Sequence, residues 1–394
     1  MKNLHAFAVR PIAAALAAVL LTAGLNASAG AAEPRVVLIG LAAPLTGASA
    51  RIGKDLENGA QLAIDEANRN HPTLDGQPVT YRLVPADDQS DPRTAVTVAQ
   101  QLVDQHVVGV VGHWNTGCSV PAARVYHDAG IPELAPASTG HQYTQQGFDT
   151  AFRVMGHDDG SGAYTGAYAV KTLKAKRIVV IDDRTSFGSG LATQFEKGVQ
   201  ANGGTVVDHQ YITDKTVDFS GVLTEIKSKQ PDLIFLGGID IEAAPLARRM
   251  HQLGIHATLL GAGGFVSQTF LKLAGTDGDG VTALEPGLPL ERMPGGPAFD
   301  AKYQASFHQP IELHAPFAYD ATATLIEAIG QTNSTDPHKL TAALHQIEHK
   351  GITGTIAFDN EGNLKNPAYT IYQVRGGKWV VVDVLGGTTQ TASK

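Results

Sequence analysis

Val107-Val108-Gly109-Val110-Val111 runs directly into Gly112-His113-Trp114-Asn115-Thr116-Gly117-Cys118-Ser119. The first five residues are small or β-branched with no polar alternation, the pattern of a strand buried on both faces. The next eight are polar, small and turn-forming, and Val120 to Ala129 returns to helical spacing. A buried strand, a short polar loop and a helix form one step of a parallel α/β sheet.

The same step repeats on either side. Upstream, Val36 to Ile39 reads as a buried strand, Gly53 to Asn70 as a helix with Leu56, Ala60, Ala63, Ile64 and Ala67 on one face, Tyr81 to Val84 as a strand and Thr94 to Val103 as a helix. Downstream, Ser161 to Leu173 is helical, Arg177 to Ile181 a strand, and Leu191 to Asn202 a helix stopped by Gly203-Gly204. Thr205 to Val207 and Leu233 to Leu236 are strands around a helix from Val222 to Lys229; Ala243 to Leu253 is a helix and Leu259-Leu260 a short strand. The chain thus carries two parallel α/β units in tandem.

A third section breaks the rhythm. Phe299 to Phe307, Phe317 to Ile329 and Pro337 to Ile347 are three helices in succession. Ile356 to Phe358 follows, then a turn at Asp359 to Gly362, and Tyr369 to Tyr372 with Val380 to Val382 forms a hairpin about Gly376-Gly377. Pro286 to Pro289 and Pro294 to Pro297 mark a crossover between lobes.

The N-terminus is an export signal. Lys2 and Arg10 precede a short apolar run, which ends in Ala27-Ser28-Ala29 and Gly30-Ala31-Ala32. The run is shorter than the about 20 apolar residues of a membrane span. No cysteine follows it to carry a lipid, so the expected mature protein starts near Glu33, free in the periplasm and without membrane insertion. The net charge of −8 offers no basic patch for nucleic acid or anionic lipid. With 43% hydrophobic residues the chain can hold a fold on its core alone. It must do so, because Cys118 is the single cysteine; it reads as a buried, inert filler.

Enzyme signatures are missing. Gly40-Leu41-Ala42-Ala43-Pro44 after the first strand is not a dinucleotide turn, and neither a phosphate loop nor a nucleophile elbow occurs. His338, His345 and His349 read as a solvated helix face rather than a metal site. Asp182 and Asp183 on one strand point to opposite faces and make a poor acid–base pair. No catalytic residue, metal or cofactor is expected.

The strand ends are more informative, since ligands of open α/β sheets sit beyond the carboxyl ends of strands. The 112–119 loop leads into a helix whose N–H groups and Thr116 hydroxyl can face an anion. Ala135-Pro136-Ala137-Ser138-Thr139-Gly140 is a second small, hydroxylated strand end. Together they suggest a carboxylate cradle built without a basic side chain.

Gly112-His113 with Thr116, Ser119 and Pro121, then Pro136 to Thr139, Ile181-Asp182-Asp183 with Phe187 to Gly190, Gly237 to Asp240, and Asp359 to Leu364 resemble the leucine/isoleucine/valine-binding family of periplasmic proteins. The resemblance spans nearly the whole mature chain. It implies an α/β fold of two parallel-sheet lobes joined by a three-strand hinge, the type I periplasmic binding fold. The implied division is a leader at 1–32, a first lobe of 33–155 with 286–358, a second of 156–285 with 359–386, and a tail at 387–394. It further implies an ABC-importer receptor that closes on a branched-chain or related amino acid and docks on an inner-membrane permease.

By the same resemblance Thr116 and Thr139 bond the ligand carboxylate, the Ala137 carbonyl accepts from its amine, and Ser138 lines that wall. Trp114 and Ile52 shape the pocket from the first lobe. Phe187 and Ile239 stand on the second lobe where relatives carry tyrosines. The family's acid for the ligand ammonium falls on Gly263, which leaves Asp240 as the nearest replacement, or else a helix N-cap. Ser90 and Asn115 stand in place of the family's disulfide. A receptor for another small carboxylate, aromatic acid or amide stays open, as does an extracytoplasmic enzyme or sensor.

Overall fold

The computed structural model describes Met1 and residues 33–387, so the expected export signal and nearly all of the C-terminal tail lie outside the described residues. The first run of elements is β1 (Arg35–Ala43), α1 (Ala50–Arg69), β2 (Thr73–Leu74), β3 (Gln77–Asp87), α2 (Pro92–Asp104), β4 (Val110–Gly112), α3 (Thr116–Asp128), β5 (Glu133–Ala135) and β6 (Ala151–Arg153). The second is α4 (Asp158–Ala167), β7 (Ile178–Asp182), α5 (Ser186–Ala201), β8 (Val206–Tyr211), α6 (Ser220–Ser228), β9 (Leu233–Gly237), α7 (Asp240–Gln252), β10 (Thr258–Ala262), α8 (Gln268–Ala274) and β11 (Thr282–Pro286). The last comprises α9 (Gly296–Phe307), α10 (Ala315–Thr332), α11 (Pro337–Leu344), β12 (His349–Lys350), β13 (Thr355–Ile356), β14 (Ala368–Arg375) and β15 (Lys378–Gly386).

These elements build two sheets. One has six strands in the order β2-β3-β1-β4-β5-β6, the other seven in the order β15-β14-β11-β10-β9-β7-β8. Pairing is parallel from β3 to β6 and from β8 to β11; β2 on the first sheet and β14 and β15 on the second run antiparallel. Antiparallel strands joined by short turns cap each sheet, while the parallel pairs need helical crossovers. Gly376 and Gly377 both have positive φ, at 58° and 73°, which the tight turn of the expected hairpin requires.

The late helices belong to the first sheet. Phe317, Ala318, Ala321, Leu325, Ala328 and Ile329 of α10 share one core with Ile39 and Leu41 of β1 and with Leu56, Ala60 and Ile64 of α1. The contact of α1 with α10 is very close: a Cβ on Gly59 would lie 2.2 Å from the Ala315 carbonyl oxygen. Asp55 fastens the same pair. Its carboxylate accepts from the N–H groups of Glu312, Leu313, His314 and Ala315 at 2.8–3.1 Å and from the Tyr303 hydroxyl at 2.9 Å. An acid on one helix therefore satisfies the free amides at the start of another.

Two expectations need adjustment. The helix expected to run from Pro337 to Ile347 ends at Leu344, and His349 lies on β12 with its Nδ1 2.5 Å from Glu327 Oε2. The three histidines consequently do not share a helix face. Helix α3 starts at Thr116 rather than Val120, because the Asn115 side chain accepts the Cys118 N–H at 2.9 Å and caps the helix four residues earlier. That shift matters for the site, since it puts Thr116 in the first helical turn.

Candidate functional site

Three segments pass between the sheets: after β6, after β11, and from β13 to β14. Beside them, at the carboxyl ends of strands from both sheets, lies a partly open cavity. It is lined by Trp114, Asn115, Thr116, Ala137, Thr139, Met155 and His314 from the first sheet's side, by Phe187, Ile239, Gly263 and Gly264 from the second, and by Glu285 and Pro286 at a crossing segment. No lysine or arginine is among them.

The two expected loops meet there. Thr116 Oγ1 accepts the Gly140 N–H at 3.0 Å, so the start of α3 is tied directly to the loop after β5. The contact is tight enough that a Cβ on Gly140 would lie 2.3 Å from Thr116 Cγ2. Behind this tie, Ser119 Oγ and Ser138 Oγ are 2.5 Å apart, and the Ser138 hydroxyl also lies 3.1 Å from the His113 carbonyl oxygen. His113 is itself buried between Asp88 (Nδ1 to Oδ2 2.7 Å) and the Tyr126 hydroxyl (Nε2 3.2 Å). Cys118, in the first turn of α3, is fully buried, and burial pushes its thiol well above the ordinary range.

Arg153, which the sequence reading did not single out, braces the second loop from within. Fully buried, it donates to the Ser138 carbonyl at 2.9 Å, the Gly140 carbonyl at 2.9 Å and Thr144 Oγ1 at 3.0 Å. Asp158 is buried nearby at the start of α4. Burial raises its carboxyl to about 7, against the pull of the Thr139 hydroxyl and Arg153. A lone arginine closing a three-residue strand has no periodic signature, which is why sequence pattern missed it.

Thr116, Ala137, Thr139, Trp114, Phe187 and Ile239 thus converge on one cavity. Ser138 is buried behind it in the serine pair. Ile52 packs into the first core, among Leu56 and Phe317. Asp240 lies apart from the cavity lining: its Oδ2 is 2.5 Å from Arg51 Nη2 and 2.5 Å from Ser267 Oγ. Burial raises its carboxyl, with Arg51 the largest opposing influence. The N-cap position of α7 falls on Ile239, with Asp240 the first helical residue.

Gly263 has φ +64°, and a Cβ built there would lie 3.2 Å from the Phe187 ring. A Cβ on Gly264, at φ +122°, would lie 3.2 Å from Ile239 Cγ2. The apolar side chains of the second sheet thus crowd the space next to these glycines, and the left-handed backbone disfavours any side chain there. The carboxyl that does line the cavity is Glu285. Its Oε1 accepts from the N–H groups of Gly264, Phe265 and Val266 at 2.8–3.1 Å, and Oε2 shares the Gly264 N–H at 3.0 Å. Burial raises it to about 7 despite those bonds. His314 on the opposite side is pushed down to about 3 by burial and is neutral at ordinary pH.

The two sides of the cavity touch. Arg51 of α1 bridges to Asp240 of α7 and, at 3.1 Å, to Glu312 just before α10. Gln142 Nε2 donates to the Ser186 carbonyl at 2.8 Å, again from the first sheet's side to the second. Two polar contacts therefore bridge the lobes beside the cavity.

A family model described as periplasmic binding protein matches residues 36–378. An amino acid binding protein of Pseudomonas aeruginosa is 33% identical over 340 residues, covering 86% of this chain and 90% of that protein. A Leu/Ile/Val-binding protein homolog of Brucella suis is 31% identical over 342 residues, covering 86% and 91%. Among solved structures, the branched-chain amino acid transporter substrate-binding protein of Streptococcus pneumoniae, in complex with isoleucine, superposes with a TM-score of 0.80 at 25% identity, covering 89% of this chain and all of that one. The match across both sheets and all three crossing segments makes this chain a member of the periplasmic binding protein family, with the type I architecture of two parallel-sheet lobes.

Proposed function

We propose that the protein is the extracytoplasmic receptor of an ABC importer, capturing a branched-chain or related amino acid by closure of its lobes and presenting the closed form to a membrane permease. The observation that supports this reading is that Thr116, tied to Gly140, and Thr139 line one interlobe cavity without lysine or arginine, beside the start of α3. The relatives named for amino acid and Leu/Ile/Val binding support the ligand class. The basic start, apolar run and small-residue end of residues 1–32 support export. Among the described residues no helix is long and apolar enough to cross a membrane. No chemistry on the solute is part of this reading; closure alone is the signal.

A thermal-shift screen of the mature protein against amino acids and small aromatic acids tests it. A ligand at 100 times its Kd adds about 2.7 kcal/mol of stability through linkage, a shift of several degrees. Leucine, isoleucine or valine should give the largest shifts, and no shift with any carboxylate would refute the receptor reading. The apolar wall of Phe187, Ile239 and Trp114 favours one second reading, a receptor for an aromatic or aliphatic acid without an amine. Preference for benzoate over leucine in the same screen would establish it.

A further inference from the structure

We propose that Glu285 is the specificity-determining acid of the cleft: its carboxylate holds the ligand's amino group and selects α-amino acids over acids that lack one. The inference rests on the receptor reading and extends it to a residue that the sequence pattern did not single out.

Placement comes first. Glu285 lines the same cavity as Thr116, Thr139 and Ala137, whereas Asp240 does not. Its side chain is held rather than free, since three successive amides from Gly264 to Val266 fix Oε1. Oε2 has only a share of the Gly264 N–H, so acceptor capacity remains on that oxygen.

Charge comes second. The groups around Glu285 are Asp240 on α7, Glu312 and His314 before α10, Tyr372 on β14, and Arg51 on α1. The cations nearby are Arg51, which Asp240 and Glu312 already share, and Arg292, which bears on Tyr372; neither is bonded to Glu285. His314 is neutral and Tyr372 is held protonated, with burial the main cause for each. Glu285 is left as a buried carboxyl bonded to amides but to no cation. A buried acid without a counter-charge is costly when ionised, and an ammonium in the cavity would remove that cost. The acid also gives discrimination, because an amine-free ligand would leave Glu285 uncompensated while a matched pair is satisfied.

The test uses calorimetric titration of the mature protein and its Glu285→Gln variant with leucine, with 4-methylpentanoate (leucine without its amine) and with benzoate. The wild type should bind leucine at least about 100-fold more tightly than 4-methylpentanoate. In Glu285→Gln the leucine affinity should fall at least about tenfold while that for 4-methylpentanoate holds or improves, so the ratio collapses. At pH 7, leucine binding to the wild type should release about half a proton, read from buffers of different ionisation enthalpy, and the variant should release none. A folded variant that keeps the wild-type leucine preference and proton release overturns the assignment. If Glu285→Gln does not fold, Glu285→Asp, one methylene shorter, gives the second readout: a lower leucine to 4-methylpentanoate ratio supports the proposal and an unchanged ratio overturns it. Binding of benzoate and 4-methylpentanoate in preference to leucine by the wild type also overturns it but leaves the receptor reading standing. Binding of none of the three refutes both.

Discussion

Thr116 uses one oxygen twice. Its lone pair takes the Gly140 N–H, which ties two loops together, and under the proposed function its proton meets the ligand carboxylate. Thr116→Val keeps the shape and removes both functions. It strands the Gly140 amide, so it should cost about 1–3 kcal/mol in chemical denaturation and lower carboxylate affinity about tenfold in titration. Thr139→Val lacks the interloop tie and should weaken binding with a smaller loss of stability, so the two variants separate anchoring from recognition. The cavity-lining hydroxyls of Thr116 and Thr139 were legible in the sequence because they sit next to buried strands, where position follows from order. Glu285 and Arg153 were not. Each stands at or next to the end of a short strand that lacks an apolar run, and only the folded chain reveals that one lines the cavity and the other braces its loop.

At the scale of elements, the long α-helices and the buried strands β1, β7 and β9 were readable from periodicity, since their cores demand unbroken apolar runs. The strands β6 and β11 were not, because three to five residues that include Arg153 or Glu285 carry no alternation, and of β5 only the end at Ala135 was legible, from the small hydroxylated loop after it. The junction of α1 with α10 was equally hidden. It depends on Asp55 reaching amides more than 250 residues away in sequence. Asp55→Ala should strip four amides and a tyrosine hydroxyl of their common acceptor, costing about 3 kcal/mol or more by urea unfolding. Gly59→Ala should also destabilise the junction, by about 1–3 kcal/mol, since its methyl group meets backbone rather than a side chain that can move aside.

For the whole molecule, Arg51 is held by Glu312 on its own lobe and reaches across to Asp240 of the other. Arg51→Gln should raise the open fraction of the ligand-free protein, seen as a larger radius of gyration by solution scattering, and weaken ligand binding about 2- to 10-fold by taxing closure. The pH response has a defined sign. Burial holds Asp183, Asp158, Glu285 and Glu242 at about 6, 7, 7 and 8, so the folded chain keeps protons that the unfolded chain has already lost. His209, raised mainly by its bond to Glu196, acts in the same direction as the pH rises through its folded value. His314 and His157, lowered mainly by burial, oppose this trend, but only below about 6.5, where the unfolded imidazoles take up protons. The melting temperature should therefore fall between pH 6.5 and 8, and Glu242→Gln should flatten that fall; a melting temperature that rises across this interval would contradict it.

Cys118 gives the molecule a private clock. With one thiol in the whole chain, sealed in the first turn of α3 beside the cavity loops, a thiol dye can react only when that corner comes apart. Every labelled molecule then timestamps the same local event, and a solute that grips the corner should slow the colour without any engineered probe.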